Sequence, residues 1–472
     1  MRRTKIIATL GPATDSPEML GRLVDAGVNV FRLNMSHAKH DWVRRVVADI
    51  RAAATVRQTA LGIIMDTQGP AIRTGDLPTP IALRLGQKFT LYVGAAGLAL
   101  GPDSTSVNYE NFVHDISVGD TILLDNGEIH MKVLAKSASR VECEVLTEGT
   151  LGSRRHINLP GVKVSLPALT AKDIADVQVG LEVGVDYIAL SFVREAKDLL
   201  QLKAMIEHAP RRPRIIAKIE DQLAVKNLEE IVPLADAIMV ARGDLGIECP
   251  YWDLPVIQRR IVKTCLRIGR PVIVATHMLE SMIENPMPTR AEVTDITNAV
   301  YEQADAIMLS GETTTGRYPL RCVEVFDRIT SHIGANIERF GGTNYQEAAE
   351  LQSPRMKLVK SAVVLANDLS ATAILAFTLH GTMAWYAAWM RPRHSRIIAL
   401  CDNQNQANTL TLFWGVTPIV IPFHRDDPER TIGEAIEILL QRGHLQRGDT
   451  TVIISTITLG AEVANAVQTR QI

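Results

Sequence analysis

The chain is poor in cysteine: five in 472 residues, Cys143, Cys249, Cys265, Cys322 and Cys401, with no C-x-x-C pair among them. That scatter implies neither a disulfide framework nor a zinc site, and buried apolar thiols are the expected role. Neither sign of charge is in excess: 50 Lys+Arg face 52 Asp+Glu, a formal net charge of -2. With no block of like charges either, nothing drives electrostatic binding to nucleic acid or to an anionic lipid surface. No apolar run reaches the roughly 18 residues that a bilayer span needs. The basic start Met1-Arg2-Arg3 leads into a short apolar stretch that Gly11-Pro12 breaks, too brief for a signal core. These absences predict a cytoplasmic protein with no nucleic-acid and no membrane partner. Low-complexity segments and solenoid repeats are also missing.

What is present is alternation. Short apolar runs at 5–10, 29–35, 61–66, 186–192, 214–220, 237–242, 271–276 and 306–310 each end in polar or Gly-containing turns, and each precedes a helix-length stretch. Eight such βα units are what a closed (β/α)₈ barrel requires. The third and fourth runs lie about 120 residues apart, where neighbouring units take about 30, so a module is inserted there. Within it, strand-like pieces at 81–85, 89–93, 121–124, 129–134 and 141–146 are punctuated by Gly119-Asp120, Asn126-Gly127 and Gly149. That pattern predicts a compact all-β module seated on a βα loop and able to move as a lid. A helix is expected over 322–339, then a linker beginning Phe340-Gly341-Gly342-Thr343-Asn344. Strands at 373–378, 396–402, 418–422 and 450–455 and a helix over 429–442 predict a separate open α/β domain. The expected division is a barrel from 1–70 and 168–345, a lid from 71–167 and a C-terminal domain from 346–472. That agrees with about three domains for this length.

In such a barrel the reacting groups sit at the C-terminal ends of strands. The second run closes Arg32-Leu33-Asn34-Met35-Ser36-His37, whose period of two puts Arg32, Asn34 and Ser36 on one face. The third closes Asp66-Thr67-Gln68-Gly69-Pro70-Ala71-Ile72-Arg73, and the fifth places Lys218 and Glu220 on one face. The sixth closes Arg242-Gly243-Asp244, the seventh Thr276-His277 and the eighth Ser310-Gly311-Glu312. Glu220 and Asp244 read as carboxylates on adjacent strands suited to one Mg²⁺ with open positions for substrate oxygens. Arg32, Arg73 and Lys218 are expected to converge on the same mouth, the arrangement a transferring phosphoryl group needs. Gly243 permits close backbone approach at a helix start, where amides suit a substrate carboxylate. Any one such residue is more often a cap or a surface ion pair than a catalyst. Lys218 is harder to dismiss, because a lysine ending an apolar strand needs a buried partner or a task. His37 and His277 stand closer to hydrogen-bonded structural histidines.

These residues also carry a resemblance. Thr4-Lys5-Ile6 with Gly11-Pro12, Arg32-Leu33-Asn34-Met35-Ser36-His37, Asp66-Thr67-Gln68-Gly69-Pro70, Ile216-Ala217-Lys218-Ile219-Glu220, Met239 with Arg242-Gly243-Asp244-Leu245-Gly246, Met278-Leu279-Glu280-Ser281-Met282, Pro288-Thr289-Arg290-Ala291-Glu292 and Met308 with Ser310-Gly311-Glu312 resemble the motifs of the pyruvate kinase family. The resemblance spans essentially the whole chain and is most specific in the barrel. It implies phosphoryl transfer from phosphoenolpyruvate to ADP in glycolysis, with Mg²⁺ (or Mn²⁺) and with K⁺ as a second expected ion.

By that resemblance Lys218 steadies the phosphoryl group in flight, and Arg32 and Arg73 grip its oxygens. Glu220 and Asp244 hold Mg²⁺; Gly243, Asp244 and Thr276 bind the pyruvyl end; Thr276, Ser310 and Glu312 line the side from which the enolate is protonated. Asn34, Ser36, Asp66 and Thr67 match K⁺ ligands, and Asn34, Arg73 and Lys172 match nucleotide contacts. The turn Thr378-Leu379-His380-Gly381-Thr382 fits an effector-phosphate loop, with Thr378, Gly381 and Thr382 as contacts, in what is expected to be a homotetramer.

The chain carries Gln68, where members usually have Lys or Gln, and departs from the family's usual pattern at Ala71, where they have Glu or Lys, at His277 for Gln, and at Thr315 for Lys. The stretch Ser455-Thr456-Ile457-Thr458-Leu459-Gly460 lacks the longer basic loop of members activated by fructose 1,6-bisphosphate. Two rival readings share parts of this pattern. A Mg²⁺-dependent aldolase or lyase acting on pyruvate enolates needs neither Lys218 with Arg73 nor a lid, and a degenerate metabolite-binding paralogue would not retain Lys218, Glu220, Asp244 and Thr276.

Overall fold

The computed structural model describes residues 2–94, 100–336, 349–424, 426–459 and 462–472. Eight parallel strands close into a barrel: Lys5–Thr9, Val30–Asn34, Gly62–Asp66, Tyr187–Leu190, Arg214–Ile219, Ala237–Ala241, Val272–Ala275 and Ala306–Leu309. The first pairs with both the second and the eighth, which completes the ring. Strands buried on both faces select the continuous apolar runs seen in the sequence. Inward-pointing Ile7, Val30, Ile64, Tyr187, Ile216, Met239, Ile273 and Met308 fill the interior, so it is a packed core rather than a channel. The other face of each strand packs against the surrounding helices in a much larger cluster.

Local signals set the helices around that core. Ala171–Val183 begins at a capping box between Thr170 and Asp173 and stops at Gly184, whose φ of 72° is the left-handed conformation that ends helices. Arg290–Tyr301 starts on a second such box between Thr289 and Glu292. Each cap contributes about 1 kcal/mol, enough to fix where a helix starts.

Between the third and fourth barrel strands lies the inserted β module, as the spacing predicts. Its six-stranded sheet surrounds Phe89, Leu91, Phe112, Ile122, Leu124 and Met131, and a two-stranded piece pairs Ile81–Leu83 with Gly149–Leu151. The five expected strands form, and three more appear: Ser104–Val107, Gly149–Leu151 and Ile157–Asn158. These are two to four residues long, too short to show an alternating pattern.

The eighth barrel strand leads to a helix, Pro319–Asn336, one turn earlier than expected; Arg339 and the linker at 340–344 lie outside the described residues. The C-terminal sheet has the order Val416–Val420, Arg396–Cys401, Ala373–Phe377, Thr450–Leu459, Glu462–Gln471. Its last strand is antiparallel to Thr450–Leu459 and was not expected. Its sequence, EVANAVQTRQ, has little β propensity, and pairing with a neighbour overrides that weak preference.

This domain closes the floor of the barrel. Leu412 joins the barrel's interior cluster, Tyr187 Oη donates to Thr409 O, and a buried ion pair joins Arg391 to Asp305 at 2.9 Å. The mouth at the opposite end, where the lid attaches, is thereby left as the accessible one.

Candidate active site

At the mouth, five consecutive strands bring one polar network together. Lys218, next to last on the fifth strand, sets its Nζ 2.7 Å from Glu220 Oε1, 3.2 Å from Asp66 Oδ1 and 2.8 Å from Ser191 Oγ. Arg32, from the second strand, places Nε 2.6 Å from Asp66 Oδ2 and donates from Nη1 to Thr9 Oγ1 at 3.2 Å. Glu220 Oε2 accepts from the Phe192 amide at 2.7 Å. Burial alone would favour a neutral Lys218, yet the carboxylates of Asp66 and Glu220 hold its ammonium above the ordinary lysine range. Burial also opposes the charge of Asp66, but Arg32 and Lys218 keep its carboxyl below the usual carboxylate range. Glu220 is pushed upward by burial and by the nearby charge of Asp244, against the pull of Lys218. An unpaired ammonium here would cost several kcal/mol, so the carboxylates make a permanent buried cation tolerable.

Asp244 is not on a strand, contrary to the sequence reading. The sixth strand ends at Ala241, and Asp244 lies in the first turn of the helix Arg242–Glu248. The turn out of the strand is made at Ala241, at φ -88° and ψ 80°, and Gly243, already inside the helix, donates its amide to Thr276 Oγ1 at 2.8 Å. The displacement keeps the carboxylate at the mouth, where its charge reaches Glu220, Lys218 and His156.

The seventh strand ends in two consecutive left-handed residues, Thr276 at φ 68° and His277 at φ 52°. Such a conformation costs about 1–3 kcal/mol per non-glycine residue and persists only where the surroundings impose it. Thr276 Oγ1 accepts from the Gly243 amide at 2.8 Å and donates to Ala275 O at 2.6 Å, which ties the ends of the sixth and seventh strands together. Beyond the eighth strand, buried Glu312 accepts from the amides of Leu279 at 2.9 Å and Ser310 at 2.7 Å, and burial raises its pKa. Ser310 Oγ is buried without a hydrogen-bond partner among the described residues. A buried hydroxyl without a partner is uncommon in a native protein and calls for an explanation.

Of the other expected residues, Thr67 joins this network through Ser191, and the rest sit apart from it. Arg73 belongs to the lid stem, where Nη1 donates to Arg154 O at 2.9 Å and its backbone bridges His156. Expected to converge with Arg32 and Lys218, it bonds to neither, because the chain has already turned into the lid. Asn34 ends its strand and turns its Oδ1 to the Ser36 amide at 3.2 Å, so exposed Ser36 is past the strand face it was assigned to. Thr67 is held inside by Ala189 O at 3.2 Å and the Ser191 amide at 3.0 Å. Lys172 Nζ is bound to Met35 O at 2.7 Å and Asp176 at 2.6 Å. His37, His277 and Thr315 are exposed.

Two members of the site escaped sequence reasoning. Ser191, a direct partner of Lys218, carries the same signal as the others, a polar residue closing an apolar run. Buried Arg242 carries it too, closing the sixth run, but its partners, carbonyls at the seventh strand's end together with Asp295 and Gln258, are not legible from spacing.

In the C-terminal domain the turn after Ala373–Phe377 leads through Gly381, at φ 78°, into the helix Thr382–Trp389. A side chain at Gly381 would collide with Gln406 and approach Arg214, so the turn is confined to glycine. Thr378, His380, Thr382, Arg355, His424 and Ser455 line a cavity of about 370 Å³ here.

Models of two protein families match the chain: the pyruvate kinase barrel domain over residues 1–323 and the pyruvate kinase alpha/beta domain over 357–468. The chain belongs to the pyruvate kinase family. It is 39% identical over 456 residues to pyruvate kinase isozyme G, chloroplastic, of Nicotiana tabacum, covering 96% of this chain and 80% of that one. It is 38% identical over 472 residues to the pyruvate kinase of Staphylococcus epidermidis, covering 98% and 78%. Among solved structures, a pyruvate kinase from Cryptosporidium parvum superposes with a TM-score of 0.93 at 33% identity, covering 100% of this chain and 96% of that one. Pyruvate kinases are phosphotransferases that need a divalent metal ion. No group of three or more His, Cys, Asp or Glu forms a metal cage among the described residues. Glu220 and Asp244 supply two carboxylates close enough for one to raise the other, which suits an ion completed by substrate oxygens and water.

Proposed function

We infer that this mouth transfers the phosphoryl group of phosphoenolpyruvate to ADP, giving pyruvate and ATP. The observation that supports it best is Lys218, an ammonium kept charged in a buried site by Asp66 and Glu220. Phosphoryl transfer asks for fixed positive charge more than for covalent chemistry. Lys218 and Arg32 stabilise the charge on the phosphoryl oxygens as the bond to the enolate oxygen breaks and the bond to the ADP oxygen forms. Arg73 on the lid stem, Asn34 and Lys172 bind the nucleotide, with the lid closing to bring Arg73 inward. Gly243, Asp244 and Thr276 hold the pyruvyl end. Thr276 and Ser310, with Glu312 behind them, deliver the proton to the enolate carbon. A Mg²⁺ or Mn²⁺ held by Glu220 and Asp244 would supply Lewis-acid stabilisation of the substrate oxygens. Asn34, Ser36, Asp66 and Thr67 would hold K⁺.

We further propose that residues 1–70 with 168–345 form the catalytic unit, 71–167 the lid and 346–472 a regulatory unit. Thr378, Gly381 and Thr382 would take a phosphate effector in a homotetramer. A sugar monophosphate or AMP fits better than fructose 1,6-bisphosphate, since the hairpin after Ser455 replaces a basic loop. A cytoplasmic location is part of this proposal; no described helix is long and apolar enough to cross a membrane, and relatives include chloroplastic and plastidial isozymes. The decisive experiment is a coupled assay of pyruvate and ATP from phosphoenolpyruvate with Mg²⁺ and K⁺, with and without ADP. Stoichiometric, ADP-dependent formation of both is expected. Pyruvate release without ADP would indicate lyase or phosphatase chemistry instead.

A further inference from the structure

We propose that Arg242 is a positioning residue for the pyruvyl end of the substrate, holding Thr276 in the left-handed conformation that presents its hydroxyl to the Gly243 amide. The proposal rests on the functional reading above. Arg242 is buried, and its guanidinium touches three successive carbonyls at the end of the seventh strand. Nε approaches Ala275 O at 3.3 Å and Thr276 O at 3.2 Å, and Nη2 donates to Thr276 O at 2.6 Å and reaches His277 O at 3.4 Å. These carbonyls flank the two consecutive left-handed residues, Thr276 at φ 68° and His277 at φ 52°. Nothing intrinsic to a β-branched threonine favours that conformation. An extended strand end would turn the Thr276 carbonyl elsewhere and carry its hydroxyl off the Gly243 amide, 2.8 Å away.

The guanidinium is itself held from behind. Nη1 pairs with Asp295 at 2.8 Å on the helix Arg290–Tyr301, and with Gln258 Oε1 at 3.5 Å on the helix Leu254–Ile268. Gln258 in turn donates to Glu302 at 2.9 Å. Arg242 precedes Gly243 and Asp244 in sequence, so one residue links the turn carrying the metal-binding carboxylate to the turn carrying the proton-relay hydroxyl. A planar fork of donors serves several carbonyls at once; a lysine in the same place serves fewer.

The test compares Arg242→Gln and Arg242→Lys with the wild type. The readouts are steady-state kinetics and exchange of the pyruvate methyl protons with solvent, with circular dichroism to establish folding. Arg242→Gln is expected to lower kcat and methyl-proton exchange together, at least about tenfold, the scale of loss that small misplacements of a reacting group produce. The KM for ADP is expected to stay within about twofold, because the nucleotide side is untouched. Arg242→Lys is expected to recover part of the loss. A folded Arg242→Gln that exchanges methyl protons at the wild-type rate would overturn the assignment. Should that variant not fold, Asp295→Asn loosens the guanidinium without removing it: several-fold slower exchange supports the role, and wild-type exchange overturns it. If the wild-type protein makes no ATP from phosphoenolpyruvate and ADP, the functional reading fails and this assignment falls with it. An active wild type with unaffected variants removes the positioning role alone.

Discussion

Lys218 shows how one residue is made both costly and useful. Its ammonium is buried, and carboxylates on the third strand and just past its own strand end keep it charged. In the proposed mechanism, replacing it by Met removes a charge that acts mainly on the transition state. A fall in kcat of at least about 10²-fold is expected, with a smaller change in the KM for phosphoenolpyruvate. Steady-state kinetics on a folded variant checks this, and an unchanged kcat would withdraw the role. Ala71 carries a second prediction at this scale. It lies partly exposed on the lid stem, its carbonyl accepting from Asn108 Nδ2 at 3.0 Å, with no ammonium of its own to add to the site. The anionic substrates then need an external cation, so activation by K⁺ is expected, and Ala71→Lys should reduce it. Full activity in buffer free of K⁺ and Na⁺ would contradict both expectations.

At the scale of elements, the lid is fastened by its return strand. Asn158 Nδ2 donates to Glu248 Oε1 at 3.1 Å, joining Ile157–Asn158 to the helix that carries Asp244. Burial pushes the Glu248 carboxyl up to about 7, so the acceptor sits where charge is disfavoured and the amide donor matters more. Asn158→Ala leaves that carboxyl with the Leu159 amide alone and loosens the stem. The KM for ADP is expected to rise about three- to tenfold with kcat less affected, if, as proposed, Arg73 on the lid stem contacts the nucleotide. Faster proteolytic cleavage in the lid stem would accompany it; unchanged KM and unchanged cleavage would show that the contact does not hold the lid.

At the scale of the whole molecule, the barrel floor and the C-terminal domain share a buried junction. Lys5, at the start of the first strand, donates to Val416 O at 2.5 Å, a residue 411 positions away. Burial, with Arg2 nearby, lowers its pKa from 10.5 to about 7. The folded state therefore binds fewer protons than the unfolded chain between those values, so stability rises with pH across that window and the penalty is complete below about pH 7. The wild type is expected to gain a few degrees in the midpoint of thermal unfolding between pH 7 and about pH 9.5, and Lys5→Met to lose that increment. Parallel pH profiles for the two proteins would remove Lys5 as the cause.

Much of this architecture was legible in the residues themselves. Barrel strands buried on both faces must be apolar throughout and must end where the chain meets the substrate, so the eight runs and the polar residues closing them stand out in one dimension. Lys218, Glu220, Arg32, Thr276 and Ser310 were accessible to that logic, and Ser191 obeys it too. The resemblance of the motifs then pointed to the family. Contacts between distant segments were not legible. The last C-terminal strand exists because Thr450–Leu459 offers it an edge, and Asp244 sits on a helix because the sixth strand stops early. Arg73 lies apart from Lys218 because the chain has entered the lid. Leu412 in the barrel floor and Arg242 on three carbonyls of the neighbouring strand end depend on which backbones approach each other. Side-chain type and periodicity report what a residue must avoid, namely water or burial. Only closure of the barrel and docking of the third domain decide what it meets.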